Sequence, residues 1–378
     1  LEKKNVRKLL ETAIAPEQQR SAFEMTDFVN RNNNELLAAL GNLVNRAMSF
    51  AHKYFDGHVP EAGAYADIDR DHLQARGGYV DRIAAELDAC HFKAALNEVM
   101  ALARAGNAYY DATAPHHTRK TDMAACGRAI NVCLEQNYYK RLGDWCGEHG
   151  IALMGHPAGS MDIGTQRYFQ MPGQDLVWRY VEPGPKALEG QHSTMAKCAS
   201  SAMVHLGMRR NSNELYGAYG HELTWDEMVW LANWCFVRGH NMLIPHAFYY
   251  SIRGPRYDER PPDVGPNAVW WPQYKPYADA CRRLSWLNTD SEHVCDVAIL
   301  TDPTFLPWDA AKVLYQNQID FNYLEIRHLW EDASTDGDGI HIAGMHYKVL
   351  IVDTLSYLPE NAVPHLQKLA DAGRLVFW

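Results

Sequence analysis

The sequence has few of the features that mark membrane, general nucleic-acid-binding or zinc proteins. No apolar run reaches the ~20 residues that a membrane-spanning helix needs. The net charge of −10 over 378 residues argues against a general nucleic-acid binder, although a local basic patch is compatible with it. No Cys-x-x-Cys pair, His-Glu-x-x-His motif or Gly-x-Gly-x-x-Gly loop occurs. We therefore expect no metal and no cofactor.

The ends and the cysteines bear on cellular location. No signal peptide is visible. The eight cysteines, none of them in a Cys-x-x-Cys pair, favour a reducing compartment, so we expect a cytoplasmic protein. The chain starts at Leu1 and ends at Arg374-Leu-Val-Phe-Trp378, which is typical of a strand cut short. We expect a fragment at both ends.

Tryptophan divides the chain, because all eleven tryptophans lie at Trp145 or later. A length of 378 residues suggests two or three domains. We predict a multi-domain chain: an all-α helical bundle over residues 1–134, a partial (β/α) barrel over 135–290 and a truncated, doubly wound α/β domain over 291–378. Apolar periodicity predicts the bundle helices over 27–57, 69–89, 92–110 and from 121 onward.

Residues 1–134 resemble the anticodon-binding domain of methionyl-tRNA synthetases. The motifs are Ala15-Pro-Glu17, Phe28-Val-Asn-Arg-Asn-Asn-Asn-Glu-Leu-Leu37, Gly41-Asn-Leu-Val-Asn-Arg46, His52-Lys-Tyr-Phe-Asp-Gly57, Ala95-Leu-Asn-Glu-Val-Met-Ala-Leu-Ala-Arg-Ala-Gly-Asn107, Ala114-Pro115 and Thr118-Arg-Lys-Thr-Asp122. The resemblance implies tRNA as a partner, with Asn42 and Arg46 hydrogen-bonded to anticodon bases. His116 stands where the family has a stacking tryptophan. The alternative for Asn42 and Arg46 is a solvated helix face.

The catalytic half of such a synthetase is absent from the sequence. Neither a His-x-Gly-His motif nor a Lys-Met-Ser-Lys-Ser loop occurs. We therefore expect no activation of methionine by this chain.

The second part contains a strand–helix–strand unit around Glu214. Glu214 ends a short extended segment, Thr224-Trp-Asp-Glu227 is a capping box, and the following helix stops at Gly239 before a strand over 241–250. Barrel enzymes keep their chemistry at the carboxyl ends of such parallel strands. The alternative is an acid that only caps or pairs at a strand end.

This stretch resembles large glycoside hydrolases related to the family 2 and rhamnosidase-like enzymes. The matching motifs are Gly155-His156, Gly190-Gln-His-Ser-Thr194, Asn213-Glu-Leu-Tyr-Gly-Ala-Tyr-Gly220, Pro245-His-Ala-Phe-Tyr-Tyr-Ser251 and Glu259-Arg-Pro-Pro-Asp-Val-Gly-Pro266. The resemblance implies a carbohydrate substrate and Glu214 as one of the two carboxyl groups that glycoside cleavage needs.

The second carboxyl group is open among Asp162, which we prefer, Asp263 and Glu189. Each has the alternative of a loop acid that caps or forms ion pairs. Substrate-binding candidates are aromatic, histidine and acidic residues: His156, His246, Tyr249, Asp263 and Trp270. For the two histidines, a hydrogen-bonded core residue is the alternative.

The C-terminal part alternates strands, over 297–300, 319–324, 347–352 and 374–377, with helices over 310–316 and 362–372. It resembles the flavodoxin-like domain that follows the barrel in related β-galactosidases, where its role is structural.

The barrel looks incomplete, because we find three clear strands and a further strand or loop over 176–181, where eight are needed. The join near Glu135 falls inside one helical pattern from about Thr121 to His149, which points to a chimera. An open sheet edge would invite pairing with another chain. We expect either a glycoside hydrolase remnant or a tRNA-binding module without its catalytic domain; a chain without activity is a third alternative.

Overall fold

The computed structural model describes residues 25–55, 59–60, 62, 64–157 and 159–378. It divides into two compact units, Leu1–Arg141 and Leu142–Trp378. The motif Ala15-Pro-Glu17 and the predicted helix end at Gly57 lie outside the described residues. Within those residues, no helix has the length and apolar character to cross a membrane.

The first unit is helical throughout its described elements. They are α1 (Met25–Arg31), a π-helical segment (Asn32–Gly41), α2 (Asn42–Tyr54), α3 (Asp67–Asp88), α4 (Phe92–Thr113), α5 (Pro115–Thr118), α6 (Met123–Asn131) and a second π-helical segment (Val132–Lys140). The predicted helical bundle is confirmed. The helix predicted from Thr121 to His149 corresponds to α6, the second π-helical segment and α7 (Arg141–Glu148).

Helix α4 packs against α2, α3, α6 and the first π-helical segment. Its buried Tyr110 contacts Phe50 of α2 and Ile130 of α6 in one apolar cluster. A Cβ atom on Gly106 would lie 2.5 Å from Leu43 Cδ2, so glycine lets α4 approach α2 closely at that point. Burial of these apolar faces, rather than helix propensity, provides most of the stability of such a bundle.

The second unit begins with a four-stranded parallel sheet. Its strands are β1 (Met154–Gly155), β2 (Met171–Leu176), β3 (Ser212–Leu215) and β4 (Met242–Pro245), and they pair in the order β1-β2-β3-β4. Sequential parallel strands with helical connections are the arrangement of half an α/β barrel. The register places Asp175 of β2 opposite Glu214 of β3.

Two helices connect these strands. Helix α8 (Met195–His205) precedes β3, and α9 (Trp225–Phe236) follows it. The predicted capping box is present: the Thr224 amide donates to Glu227 Oε2 at 2.9 Å, and the Glu227 amide donates to Thr224 Oγ1 at 3.3 Å. Gly239 has a φ of +93°, as expected for a glycine that ends a helical run.

The segment predicted as a strand or loop over 176–181 is not a strand. Strand β2 ends at Leu176, and Trp178 and Arg179 turn away with φ angles of +60° and +53°. Strand β2 could not be predicted from the sequence, because its residues, Met171-Pro-Gly-Gln-Asp-Leu176, have low β propensity. The strand forms because it packs closely against β1. At Gly173 this packing leaves no room for a side chain, since a Cβ atom there would lie 2.5 Å from the Gly155 carbonyl oxygen.

The second unit continues through α10 (Tyr274–Leu287) into a second parallel sheet. Strands β5 (Val297–Thr301), β6 (Phe321–Glu325), β10 (Val349–Val352) and β11 (Leu375–Phe377) pair in the order β11-β10-β5-β6. Helices α11 (Asp309–Gln316) and α13 (Val363–Asp371) lie between strands, so the predicted α/β character is confirmed.

A small antiparallel sheet interrupts this pattern. After the short helix α12 (His328–Glu331) come β7 (Ser334–Thr335), β8 (Ile340–Ile342) and β9 (Met345–Tyr347). The strand predicted over 347–352 is therefore two strands in two sheets. They separate at Lys348, whose amide donates to the Asp296 carbonyl oxygen at 2.8 Å.

Candidate functional sites

Four ionisable side chains meet at the carboxyl ends of the first sheet. His156 follows β1, Asp175 lies in β2, Glu214 in β3, and His246 follows β4. His156 Nε2 lies 3.9 Å from Asp175 Oδ2 and 4.0 Å from Glu214 Oε2. His246 Nε2 lies 3.9 Å from Glu214 Oε1. The predicted residues Glu214, His156 and His246 are thus brought together, with Asp175 as an unpredicted fourth.

Asp175 has the most perturbed carboxyl group of this cluster. Burial and then the neighbouring Glu214 raise the pKa of Asp175 to about 6, while His156, His246 and Arg260 oppose the rise. Its Oδ1 atom is buried and has no hydrogen-bond partner among the described residues. A carboxyl group whose pKa lies near 6 can hold and release a proton close to neutral pH, as a general acid or base requires.

The cluster also has the composition of a cation site. One ligand atom each of His156, Asp175 and Glu214 lie within 4.8 Å of one another. Imidazole nitrogen and carboxylate oxygen are common ligands of divalent cations. The expectation of no metal rested on histidines scattered along the sequence, and parallel strands bring one of them beside two acids.

The other predicted carboxylates have structural partners. Asp162 Oδ1 accepts a hydrogen bond from the Thr165 amide at 3.0 Å, in the loop between β1 and β2. Glu189 Oε1 pairs with Lys312 Nζ at 2.6 Å. Asp263 accepts from the Gly265 amide at 2.7 Å and from Asn267 Nδ2 at 2.6 Å. These contacts are those of acids that hold loops together.

The predicted aromatic residues differ in their surroundings. The Tyr249 hydroxyl donates to the carbonyl oxygens of Glu259 and Arg260, and its ring lies edge-on to His246 at 6.3 Å. Trp270 packs against the apolar cluster around α9. Trp178, which the sequence reasoning missed, is 52% exposed and lies under the Arg260 guanidinium at 5.9 Å.

The predicted RNA-binding residues of the first unit lie on a hydrogen-bonded face. Asn42 Nδ2 and Arg46 Nη1 both donate to Asn107 Oδ1 at 3.3 Å. Arg46 Nη2 donates to Asp111 Oδ1 at 2.5 Å, and its guanidinium lies 4.3 Å from the centroid of the Tyr110 ring. Helices α2 and α4 therefore present Asn42 and Arg46 as one polar group. We call these five residues the Arg46 network.

His116, the third predicted RNA-binding residue, lies on the short helix α5. Its ring is exposed and 4.3 Å from the ring of His117. Nearby in sequence, Arg119 covers Tyr54 at 4.4 Å, and Tyr54 contacts Phe50, whose ring meets Tyr110. Two arginines, Arg46 and Arg119, thus flank one aromatic cluster.

Comparison with known proteins gives matches to part of the chain. No protein-family model matches. The methionine–tRNA ligase of Porphyromonas gingivalis is 42% identical over 133 residues, which are 35% of this chain and 20% of the ligase. The ligase of Pyrococcus horikoshii is 40% identical over 124 residues, 33% of this chain and 17% of that protein. The resemblance to methionyl-tRNA synthetases is confirmed, and this chain spans about a fifth of their length.

Solved structures give two further likenesses. A rhamnosidase from Novosphingobium sp. PP1Y aligns with 68% of this chain and 26% of its own at 18% identity and a TM-score of 0.49. Apo methionyl-tRNA synthetase of Mycobacterium tuberculosis aligns with 35% of this chain and 27% of its own at 27% identity and a TM-score of 0.33. Both expected resemblances recur among the solved structures.

Proposed function

We propose that the second unit binds carbohydrate at the carboxyl ends of β1–β4 and cleaves O-glycosidic bonds with Asp175 and Glu214. The observation that carries this proposal is the pair itself: two acids in register on neighbouring strands, with the pKa of one raised to about 6. Glycoside cleavage needs one carboxyl group that donates a proton and one ionised group that acts as base or nucleophile.

The chemistry divides between the two acids. Asp175 carries the proton for the leaving oxygen, since burial and Glu214 favour its neutral form. Glu214, 34% exposed and flanked by His156 and His246, is the second carboxyl group, which stabilises or attacks the developing positive charge. The two imidazoles bind sugar hydroxyls. Asp162 keeps its predicted catalytic role only if Asp175 proves dispensable.

Half a barrel limits the expected rate. The four paired strands are half of the eight that close a barrel, so fewer side chains surround the bond to be cleaved. Orientation of the substrate contributes a large part of enzymatic acceleration. We therefore expect turnover well below the ~10 s⁻¹ of a median enzyme.

A panel of p-nitrophenyl glycosides that includes the α-L-rhamnopyranoside tests the proposal. The intact chain should release nitrophenol from at least one glycoside, and Glu214→Gln should lower kcat/KM by about 100-fold or more. Glu222→Gln is the matched control, because Glu222 is an exposed acid 3.5 Å from Arg179 in the loop after β3. Failure of the whole panel, or equal loss in the control, would sink the proposal.

The first unit favours a second function, binding of tRNA at the anticodon. The similarity to methionine–tRNA ligases over 133 residues carries this proposal. Single-stranded loops are read by polar groups that reach base edges and by flat side chains that stack. Asn42 and Arg46 supply the polar groups, and His116 supplies the ring.

Fluorescence anisotropy with an anticodon stem-loop that carries CAU tests RNA binding. Arg46→Ala should weaken binding about tenfold, which is the loss of one charge-assisted contact. Arg82→Ala is a close control, since Arg82 also pairs with a carboxylate, Glu98 at 2.8 Å, and covers a tyrosine, Tyr79 at 4.6 Å. Equal affinity for a scrambled loop, or equal effects of the two variants, would contradict anticodon recognition.

We also propose roles for the second sheet, the cellular compartment and the outer strands. The second parallel sheet has a structural role, as in a flavodoxin-like domain. The protein works in the cytoplasm, which suits its eight free cysteines. The outer strands of the first sheet, β1 and β4, offer edges through which chains could pair.

A further inference from the structure

A tight hairpin in the second unit places two histidines side by side. Strands β8 and β9 are joined by Ala343 and Gly344, whose φ angles are +46° and +86°. Positive φ at both positions is the mark of a type I′ turn, whose twist matches a hairpin. The register then sets Ile342 opposite Met345 and His341 opposite His346.

The His341–His346 pair occupies the closer kind of cross-strand position. In a two-residue hairpin the pair that flanks the turn is hydrogen-bonded, so the next pair is not, and its Cα atoms approach to about 4.5 Å. The two imidazole rings stack with centroids 4.3 Å apart and planes inclined by 7°.

Two carboxylates stand at the ends of these rings. His341 Nε2 lies 3.4 Å from Asp336 Oδ2, and His346 Nε2 lies 3.4 Å from Asp338 Oδ2. The amides of Asp338 and Gly339 donate to Asp336 Oδ1 at 2.8 and 3.1 Å, which fixes this carboxylate in the turn before β8. His346 Nε2 also lies 3.2 Å from the Asp338 carbonyl oxygen, and Asp338 Oδ1 lies 3.4 Å from Arg374 Nη2. A cation that replaces these contacts would find two nitrogen and two oxygen ligands in the cluster.

The cluster is presented outward on a fixed support. Ile340, Ile342 and Tyr347 turn their side chains into the apolar core, while the side chains of His341 and His346 are 39% and 33% exposed. Alternation along the strands thus anchors one face and frees the other. The two histidines lie on regular strands, which hold ligands more accurately than loops do, and the two aspartates lie in the turn between β7 and β8.

We propose that His341, His346, Asp336 and Asp338 form a surface site for a divalent cation of the zinc type. Imidazole suits Zn²⁺, Cu²⁺ and Ni²⁺, and tetrahedral Zn²⁺ takes nitrogen and carboxylate ligands together. The rings must rotate out of their stack to aim both nitrogens at one point, a side-chain motion that leaves the hairpin unchanged. This site is separate from the Asp175–Glu214 pair and does not rest on its proposed activity.

Calorimetric titration of the intact chain with ZnCl₂ at pH 7.5 tests the site. Because His156, Asp175 and Glu214 are a second candidate set, the titration compares His341→Asn/His346→Asn with His156→Asn/Glu214→Gln. In the first double variant, we expect the affinity of one zinc site per chain to fall at least tenfold. The second double variant should keep that site. His91→Asn, at a single histidine beside Glu86, should change nothing.

A measurement on the unaltered protein guards against variants that fail to fold. Diethyl pyrocarbonate modifies free imidazoles, and mass spectrometry of peptides locates the modified histidines. Zinc should protect His341 and His346 together, with half-protection at the concentration that the titration gives. An unchanged number and affinity of bound zinc ions after the His341→Asn/His346→Asn change, or modification of both histidines at saturating zinc, would overturn the proposal.

Discussion

The two units arrange their polar side chains in opposite ways. In the first, Asn42, Arg46, Asn107 and Asp111 satisfy one another on two packed helices. In the second, His156, Asp175, Glu214 and His246 converge from four strands at distances near 4 Å, longer than hydrogen bonds. The first arrangement satisfies its polar groups internally, whereas in the second the buried Oδ1 atom of Asp175 has no hydrogen-bond partner among the described residues.

The difference has a physical cause. On a helix face, residues four apart are neighbours, so the pairs Asn42 with Arg46 and Asn107 with Asp111 are visible in the sequence, although the hydrogen bonds between the two faces join residues 61 to 65 positions apart. Parallel strands bring together residues from distant segments, and their carboxyl ends share one edge. The proposed function of the first unit therefore rests on sequence similarity, and that of the second unit rests on the geometry of its side chains.

The largest expected effect is the loss of hydrolysis when Asp175 is replaced. If Asp175 donates a proton, Asp175→Asn should lower hydrolysis at pH 5.5 by roughly 100- to 10,000-fold. In the unaltered chain, activity should fall as pH rises through about 6, because the carboxyl group then loses its proton. Rate–pH profiles of the two proteins measure both effects, and a variant with full activity would leave Asp175 outside the mechanism.

One glycine in each unit allows the packing of the two units to be compared. A Cβ on Gly143 would lie 2.2 Å from the Tyr168 carbonyl oxygen, a backbone atom that cannot move aside. A Cβ on Gly106 would meet only the flexible end of Leu43 at 2.5 Å. We expect Gly143→Ala to cost about 2 to 3 kcal/mol of unfolding free energy and Gly106→Ala less than about 1 kcal/mol. Urea denaturation followed by tryptophan fluorescence and circular dichroism compares them, and equal costs would contradict the packing.

The raised pKa of Asp175 also predicts a pH-dependent stability. An unfolded aspartate titrates near 3.8 and the folded one near 6, so the folded state binds the extra proton between these values. Stability is therefore lost as pH rises from about 4 through 6. At pH 7.5 Asp175→Asn should stabilise the second unit by on the order of 2 kcal/mol. Thermal melts at pH 4 and 7.5 should show this gain only at the higher pH; a gain at both would point to another cause.

The smallest effect concerns the Arg46 network. Asp111 neutralises Arg46, so Asp111→Asn should free the guanidinium and raise stem-loop affinity several-fold, worth less than about 1 kcal/mol at an exposed pair. The gain should vanish in an Arg46→Ala background and shrink with added salt. Anisotropy over the four combinations tests this, and a gain that persists without Arg46 would reject the coupling.

Sequence patterns predicted the parts of the fold that local chemistry determines. The capping box at Thr224 and Glu227, the strand of Glu214 and the helices of the bundle follow from caps and apolar periodicity. Strand β2 was missed because Pro172 and Gly173 hide its β character, and Asp175 was missed with it. The paired His341 and His346 were missed because Ala343-Gly344 lacks the usual hairpin signal.

The titration of Asp175 tests the central account most directly. Selective ¹³Cγ labelling of aspartate, with Asp175→Asn to assign the resonance, gives its pKa by NMR. We predict a midpoint near 6 that falls in Glu214→Gln, because Glu214 is the second cause of the rise after burial. A midpoint near 3.8 that does not respond to Glu214→Gln would show that the two acids do not form a coupled pair, and the proposed acid–base site would fall with it.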